Sequence, residues 1–344
     1  MRLLDLYGLN DPEPELVHEF EADLTKSIGR VNVFHLNGDE IAQSLPRVDA
    51  ASLADAYNIV YPAWELARYP EPWAEQLARF DEVWAPSAFI RDAIAPAVSI
   101  PVVHMPLACQ VVLPSFLSRR YFGIREDRFA FLFFFDFRSY ASRKNPEAVI
   151  EAFRRCLASG PQTPSVLVIK LNGAENAPDA TERLLGLLDG IESQVVVLNR
   201  TMSDNEVKNL VRVCDAFVSL HRSEGFGRGM AEAMVLGRPV IATAYSGNMD
   251  FMTPDNALCV DYRLVAVPAG AYPFAEGQVW AEPDVEQAAR YMTQLLADVA
   301  AARALGQRAG LAVRRQLSYR KVGLRYLDRI GEVMRTRADA VVTG

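Results

Sequence analysis

Short apolar runs alternate with helical patterns along the chain, and turn residues bound each run. Residues 1–8 (MRLLDLYG), 30–37 (RVNVFHLN), 57–64 (YNIVYPAW), 81–87 (DEVWAPS) and 99–107 (SIPVVHMPL) predict strands, and residues 14–28 predict an amphipathic helix. The periodicity then lapses over residues 108–127, which carry Pro114 and the basic pair Arg119 and Arg120 and form the linker candidate. A second series opens with residues 128–137 (RFAFLFFFDF), an almost continuous apolar run of the kind buried on both faces of a parallel sheet. Residues 165–173, 194–200, 215–220 and 238–243 read as further strands, and residues 310–342 as a long helix with many arginines. This alternation predicts an α/β fold with parallel sheets and right-handed crossovers. No short-period repeat or low-complexity tract interrupts it.

Length and composition narrow the class. With 344 residues, half of them hydrophobic, the chain predicts two domains, each with a substantial core. The formal net charge of −7 argues against a nucleic-acid binder. Cys109, Cys156, Cys214 and Cys259 lie among apolar neighbours without CxxC spacing, which predicts buried free thiols in a reducing cytoplasm. No signal peptide precedes the first expected strand, and no apolar run approaches the ~18 residues that a spanning helix needs.

The densest chemistry lies in HRSEGFGRGMAEAMVLGRPVIATAYSGNMDF, residues 221–251. Between two strand-like runs, Gly225, Gly227 and Gly229 form a turn that opens a helix. Such a turn lets backbone N–H groups approach a phosphate at the positive end of a helix. Phe226 and Arg228 complete that turn. Glu224 stands at its mouth and Glu232 about two helical turns further in, so the two carboxylates can accept hydroxyls on either side of a diphosphate. A nicotinamide or flavin fingerprint fits poorly, because Met230 stands where the last glycine of G-x-G-x-x-G belongs.

The run SEGFGRGMAEAMVLGRPVIAT resembles the donor-site motif of retaining glycosyltransferases of family 4, which have the GT-B fold: two Rossmann-like domains whose parallel sheets face each other across a cleft. The resemblance implies that Glu224 contacts the transferred sugar and Glu232 the nucleotide ribose. It also implies a partition into residues 1–110 as an acceptor-side domain, residues 111–315 as the donor domain, and residues 316–344 as a helix returning to the first domain. The donor would be a nucleoside-diphosphate sugar. The acceptor would be a carbohydrate or lipid-linked glycan, in the cytoplasm or peripherally on the inner face of a membrane. Arg228 and Gly229 depart from the family's usual Leu-Pro or Leu-Ser.

A second cluster, FDFRSYASRKNPEAVIEAF, spans residues 135–153. Arg138, Arg143 and Lys144 sit in the loop after the buried strand, where cations suit an anion and stabilise charge on a leaving diphosphate. The family resemblance places an arginine and a lysine six apart against the diphosphate, a separation met by Arg138 and Lys144, with Arg143 as the alternative to Arg138. There is no DxD pair, and the four histidines show no ligand spacing, so metal-independent chemistry without a cofactor is expected. His221 either caps the strand before the glycine turn or contacts the sugar. Asn199, Arg200 and Thr201 end another strand, where the resemblance places loops that read the nucleobase. Asn248 and Asp250 are either supporting groups or turn formers.

The first half resembles the acceptor side of a bacterial subgroup. Trp64 and Glu65 end a strand; an indole can stack on a sugar face while the carboxylate takes hydroxyl bonds or a proton. Both core and site readings remain open for Trp64, whereas Trp73 and Trp84 read as core. Asn37, Gly38 and Asp39 occupy the equivalent position after an earlier strand. Many relatives support the donor from a glycine-rich first turn, whereas this chain has only Gly8 there; either the acceptor domain is trimmed or an opening unit precedes this sequence. Two other classes stay in view: a phosphorylase-like enzyme with pyridoxal phosphate on Lys170, and a non-catalytic sugar-nucleotide-binding subunit.

Overall fold

In the first half of the chain, proline sets where strands stop. The computed structural model, which describes residues 2–4, 6 and 20–343, arranges β1 (Val31–Phe34), β2 (Tyr57–Val60), β3 (Glu82–Ala85) and β4 (Val102–His104) as one parallel sheet in that order. Pro62, Pro86 and Pro106 follow β2, β3 and β4 within two residues. Lacking an N–H, none can continue the ladder, and the strands are shorter than the apolar windows around them. Three helices, α1 (Ala50–Asp55), α2 (Glu71–Leu77) and α3 (Ala88–Ile94), accompany the sheet. Asp49 and Ser87 cap α1 and α3, accepting the N–H groups of Ser52 and Ile90 at 2.8 and 3.2 Å.

The chain divides into two units: Met1–Trp64, Arg68–Pro106 and Gly323–Gly344 form the first, and Glu65–Ala67 with Leu107–Val322 the second. In the first unit the C-terminal helix (Tyr319–Thr343) sets Tyr326 edge-on to Trp84, with ring centroids 4.8 Å apart. Arg329 forks the fully buried Glu82 at 3.0 and 2.5 Å. A carboxylate so buried requires a charge partner, and the helix supplies it. Half of the expected first strand lies outside the described residues, as do Gly8 and His18; Leu3 makes a parallel bridge with Leu24. Of the helix expected over 14–28, residues 14–19 lie outside the described residues; Phe20 is helical, Glu21–Asp23 form a 3-10 turn, and Leu24 is extended, so the helix does not reach its expected end.

The second unit is a doubly wound sheet. Its six strands, β5 (Phe129–Asp136), β6 (Ser165–Asn172), β7 (Val195–Asn199), β8 (Ala216–Ser219), β9 (Val240–Thr243) and β10 (Leu258–Val260), run parallel in the order β10-β9-β8-β5-β6-β7. Strand alternation sends Phe129, Phe131, Phe133 and Phe135 to one core and Ala130 and Leu132 to the other. The first core is closed by α4 (Pro146–Ala158), by Leu184 of α5 (Pro178–Gly186) and by α8 (Val285–Ala297). The second is closed by α6 (Asp204–Val213), α7 (Arg228–Val235) and α9 (Val299–Leu317).

Residues 108–127 are not a free linker. Cys109, Phe122 and Ile124 are buried in the second core, and Arg119 pairs with Asp215 at 2.6 Å while donating to the carbonyls of Val213 and Arg128 at 2.9 and 2.7 Å. Beyond the last expected strand lie β10 and an antiparallel hairpin of β11 (Tyr262–Ala266) and β12 (Val279–Pro283).

Candidate active site

The strand order reverses direction at β5, whose neighbours are β6 on one side and β8 on the other. In open α/β sheets, ligands bind beyond the carboxyl ends of strands at such a switch point. The loops that leave β5 and β8 carry the two clusters singled out in the sequence.

Glu224 is the centre of the assembly. Its carboxylate pairs with Lys144 Nζ through Oε1 and lies 3.4 Å from Arg143 Nη1 through Oε2. Its side chain is only 12% exposed. Burial opposes ionisation, but Lys144 and Arg143 overcome it and hold the carboxyl at about 2. Glu224 is thus a fixed anion at neutral pH. Ser246 Oγ accepts its N–H at 2.8 Å, and Gly247 N–H donates to its carbonyl at 2.9 Å.

Arg143, the alternative in sequence, is the buried member of the cluster. Its Nη1 donates to Ser223 O at 2.8 Å and its Nη2 to Ser139 O at 3.2 Å, with Glu65 Oε1 3.7 Å away. Arg143 Nε is buried without a hydrogen-bond partner. Arg138 stands apart from Lys144: its side chain is 71% exposed and folds back on Asp136 at 2.8 Å. The Arg138–Lys144 pair suggested by spacing is therefore not assembled around Glu224, whereas the Arg143–Lys144 pair is.

The backbone around Glu224 is strained. Tyr140, Asn145 and Ser246 have φ of 62, 56 and 76°, although none is glycine. Each such conformation costs about 1–3 kcal/mol and persists where surrounding contacts impose it, most often at functional sites. Asn145 is held by its side-chain amide, which donates to Leu220 O at the end of β8 at 3.0 Å. Gly227, at φ 93°, is the N-cap of α7, and a Cβ there would lie 2.5 Å from Met230 Cε. No side chain caps this helix, so its first-turn N–H groups are available to an anion. Phe226 is buried, against Phe251, and Arg228 is exposed. Gly229 packs so closely on Phe134 that a Cβ would lie 2.8 Å from its ring. Glu232 lies on α7 with Arg228 3.7 Å away, and burial raises its carboxyl.

His221 follows β8 and is enclosed by polar groups of neighbouring segments. It is fully buried, with Nδ1 3.0 Å from Ser219 Oγ and Nε2 3.1 Å from Asn248 Oδ1 and 3.3 Å from Tyr245 O. The Asn248 amide donates to Thr243 O at 3.0 Å, which turns its oxygen to the ring. Two acceptors at Nε2 assign the proton to that nitrogen, so Nδ1 accepts from Ser219. Burial lowers its basicity and keeps it neutral. Asn248 accordingly supports His221.

Asn199, Arg200 and Thr201 line a separate cavity of about 540 Å³ with Asn172, Gly173 and Thr181, at the carboxyl ends of β6 and β7. Arg200 is held by Glu206 at 2.7 Å and stacks over Tyr121. Lys170 is buried on β6, with Nζ donating to Asn172 Oδ1 at 2.7 Å.

The acceptor-side candidates are dispersed. Trp64 is 1% exposed and packs edge-on to Tyr69 and Trp73, which identifies it as core. Asn37 closes a turn, accepting Ala63 N–H at 3.0 Å, and Asp39 is exposed. Glu65 belongs to the second unit, where Tyr272 Oη donates to Glu65 Oε2 and Ser223 Oγ donates to Glu65 O. Tyr272, on the hairpin loop, carries no sequence signal. Its partner is 207 positions away.

This architecture defines an α/β protein of the GT-B fold. It matches HepE of Anabaena in complex with UDP with a TM-score of 0.65 at 14% identity, covering 92% of this chain and 81% of that one. It matches a Staphylococcus aureus TarM mutant in complex with Fondaparinux, alpha-GlcNAc-glycerol and UDP with a TM-score of 0.64 at 12% identity, covering 91% and 57%. Sucrose-phosphate synthase from Thermosynechococcus elongatus matches with a TM-score of 0.63 at 19% identity, covering 95% and 78%. The comparison with curated proteins finds no match. The model of the glycosyl transferases group 1 family matches residues 118–311, more than half of the chain. The chain belongs to that family.

Proposed function

We propose that this protein is a retaining, metal-independent glycosyltransferase that moves a sugar from a nucleoside-diphosphate sugar to an acceptor hydroxyl of a carbohydrate or lipid-linked glycan. The observation that carries the reading is the buried, ionised Glu224 beside Lys144 and Arg143, at the mouth of the glycine turn that opens α7. The diphosphate would occupy the uncapped N-terminus of α7, with Lys144 as its principal cation. Arg138 can join it only by leaving Asp136. Glu224 would accept hydroxyls of the transferred sugar, Glu232 those of the ribose, and the cavity at Asn199–Thr201 would take the base.

With its carboxyl held at about 2, Glu224 cannot serve as a general acid at neutral pH. Its part is to orient the sugar and balance positive charge that grows at the anomeric carbon. The bond between that carbon and the diphosphate oxygen breaks, and the leaving diphosphate keeps the electron pair. The acceptor oxygen bonds to the carbon from the same face, and its proton passes to a phosphate oxygen. Lys144 stabilises the negative charge that develops, a contribution larger in the transition state than in the ground state. In this reading the chain's own cations, Lys144 and Arg143, supply that stabilisation.

The test is a thermal-shift and calorimetric panel of nucleoside diphosphates and their sugars, because a ligand of the folded state raises stability by RT ln(1 + [L]/Kd). One base should bind, and Glu224→Ala should lower turnover of the corresponding sugar nucleotide far more than affinity for the bare diphosphate. Absence of binding by every nucleotide overturns the reading; equal losses for both ligands move Glu224 away from the sugar.

A further inference from the structure

The hairpin formed by β11 and β12 is locked to the segment that carries Glu224. Ala281 N–H donates to Arg222 O at 2.9 Å, and Glu282 forks Arg222 at 2.7 and 3.2 Å. Arg222 lies over the Trp280 ring and donates to Ser142 O at 2.5 Å, joining the hairpin to the loop after β5 as well. From this base the hairpin loop, residues 267–278, carries Tyr272 inward. The side chain is buried, its ring 4.8 Å from that of strained Tyr140 and 5.9 Å from Arg143 Cζ, and its hydroxyl is given to Glu65. Phe274, two residues on, is itself at φ 52°. Strained positions thus flank both ends of this contact.

Charge explains why the contact matters. Arg143 lies between two carboxylates, 3.4 Å from Glu224 and 3.7 Å from Glu65. A buried guanidinium shared by two anions moves toward whichever is less satisfied by other donors. Glu224 has Lys144 as its second partner, and Glu65 has Tyr272. If the phenol is removed, Glu65 competes more strongly for Arg143 and draws it from Glu224.

We propose that Tyr272 is a positioning residue of the donor site: by satisfying Glu65 it keeps Arg143 on Glu224 and holds that carboxylate where the transferred sugar meets it. This rests on the donor site proposed above and adds to it a residue outside both loops of the switch point. The proposal requires that Tyr272 act through Glu65, so the two must be coupled.

The experiment uses Tyr272→Phe, Glu65→Gln and the double variant of the full chain, with UDP-glucose and UDP as probes. Tyr272→Phe should lower turnover of UDP-glucose about tenfold, the scale of one hydrogen bond to a charged group, while affinity for UDP stays within about twofold of wild type. The double variant should be no slower than the slower single. Amide hydrogen exchange reads the same coupling without ligand: the amides of Ser223, Glu224 and Gly225 should exchange roughly tenfold faster in Tyr272→Phe, and at about the wild-type rate in Glu65→Gln and in the double variant, where no second anion competes for Arg143. Losses that multiply in the double variant overturn the proposal. So do wild-type turnover in Tyr272→Phe, an equal loss of UDP affinity, or unchanged exchange at those amides in that variant. If wild type neither binds UDP nor turns over UDP-glucose, the donor assignment fails for that nucleotide, and hydrogen exchange alone decides whether Tyr272 positions Glu224.

Discussion

Lys144→Ala separates the two tasks the site gives this lysine. It pairs with Glu224, and it would face the leaving diphosphate. Loss of the first task is limited by Arg143, which remains 3.4 Å from Glu224 Oε2. With Glu224 starting at about 2, its carboxyl can rise by two units and remain ionised at neutral pH. The fold should therefore survive, at a cost of about 1–3 kcal/mol, less than the ~3–5 of a buried charge left wholly unpaired. Loss of the second task is not compensated, because Arg143 is buried against Ser223, Ser139 and Glu224, and Arg138 is held by Asp136. Removing one preorganised donor from developing anionic charge costs roughly 2.7–4 kcal/mol, so kcat should fall about 10²–10³-fold. The defect should be flat between pH 6 and 8, since Glu224 does not titrate there. Sugar transfer would be followed with and without EDTA for wild type and variant. A strict requirement for a divalent metal in wild type would refute the reasoning, since the lysine would then not be supplying the charge, and so would a wild-type rate in the variant.

Glu232→Gln should weaken binding of the nucleoside diphosphate in calorimetry with an unchanged melting temperature, because one of two ribose-accepting oxygens becomes an N–H donor; unaltered affinity removes Glu232 from the ribose. Gly227→Ala should destabilise the second unit by about 1–3 kcal/mol, because its φ of 93° disfavours a side chain and the added carbon meets Met230; an unchanged unfolding midpoint would show that the turn relaxes freely. The acid response has a definite sign: Glu224 is depressed from an ordinary 4.5 to about 2, so its stabilising contribution is complete above about 4.5 and is lost as pH falls toward 2. The gap in urea midpoint between wild type and Lys144→Ala should narrow across that window, and a gap independent of pH would contradict the ion pair.

The second sheet was legible because its cause is local. Alternation along residues 129–135 distributes aromatic and aliphatic side chains to two faces, and a run apolar on both faces belongs at the centre of a parallel sheet, where β5 lies. The glycine turn and Glu224 were legible for the same reason. Strand, turn and helix are contiguous, and the positive φ at Gly227 is a property of one residue. What spacing could not convey is direction. Arg138 and Lys144 are six apart, yet positive φ at Tyr140 turns the chain between them, so Arg143 rather than Arg138 shares Glu224 with Lys144. Trp64 and Glu65 read as a pair because they are adjacent, but their side chains have different partners. The indole closes the core of the first unit, and the carboxylate joins Arg143 and Tyr272 in the second.

Arg143 was named in the sequence as the alternative to Arg138, but its partners, and with them Tyr272, were not legible there. A buried charge is recognised by the partners it lacks or has, and those partners come from residues 65, 139, 223, 224 and 272, on four separate segments. Pairing across such separations leaves no period in the sequence. It does leave a constraint: with Glu224 and Lys144 in place, the third and fourth charges must balance or be expelled, because an unpaired charge in such surroundings costs several kcal/mol. Arg143 answers to Glu224, Glu65 to Arg143, and Tyr272 to Glu65. Each step follows from the one before, which is why a site read from two loops extends in the folded chain to a hairpin that neither loop foretold.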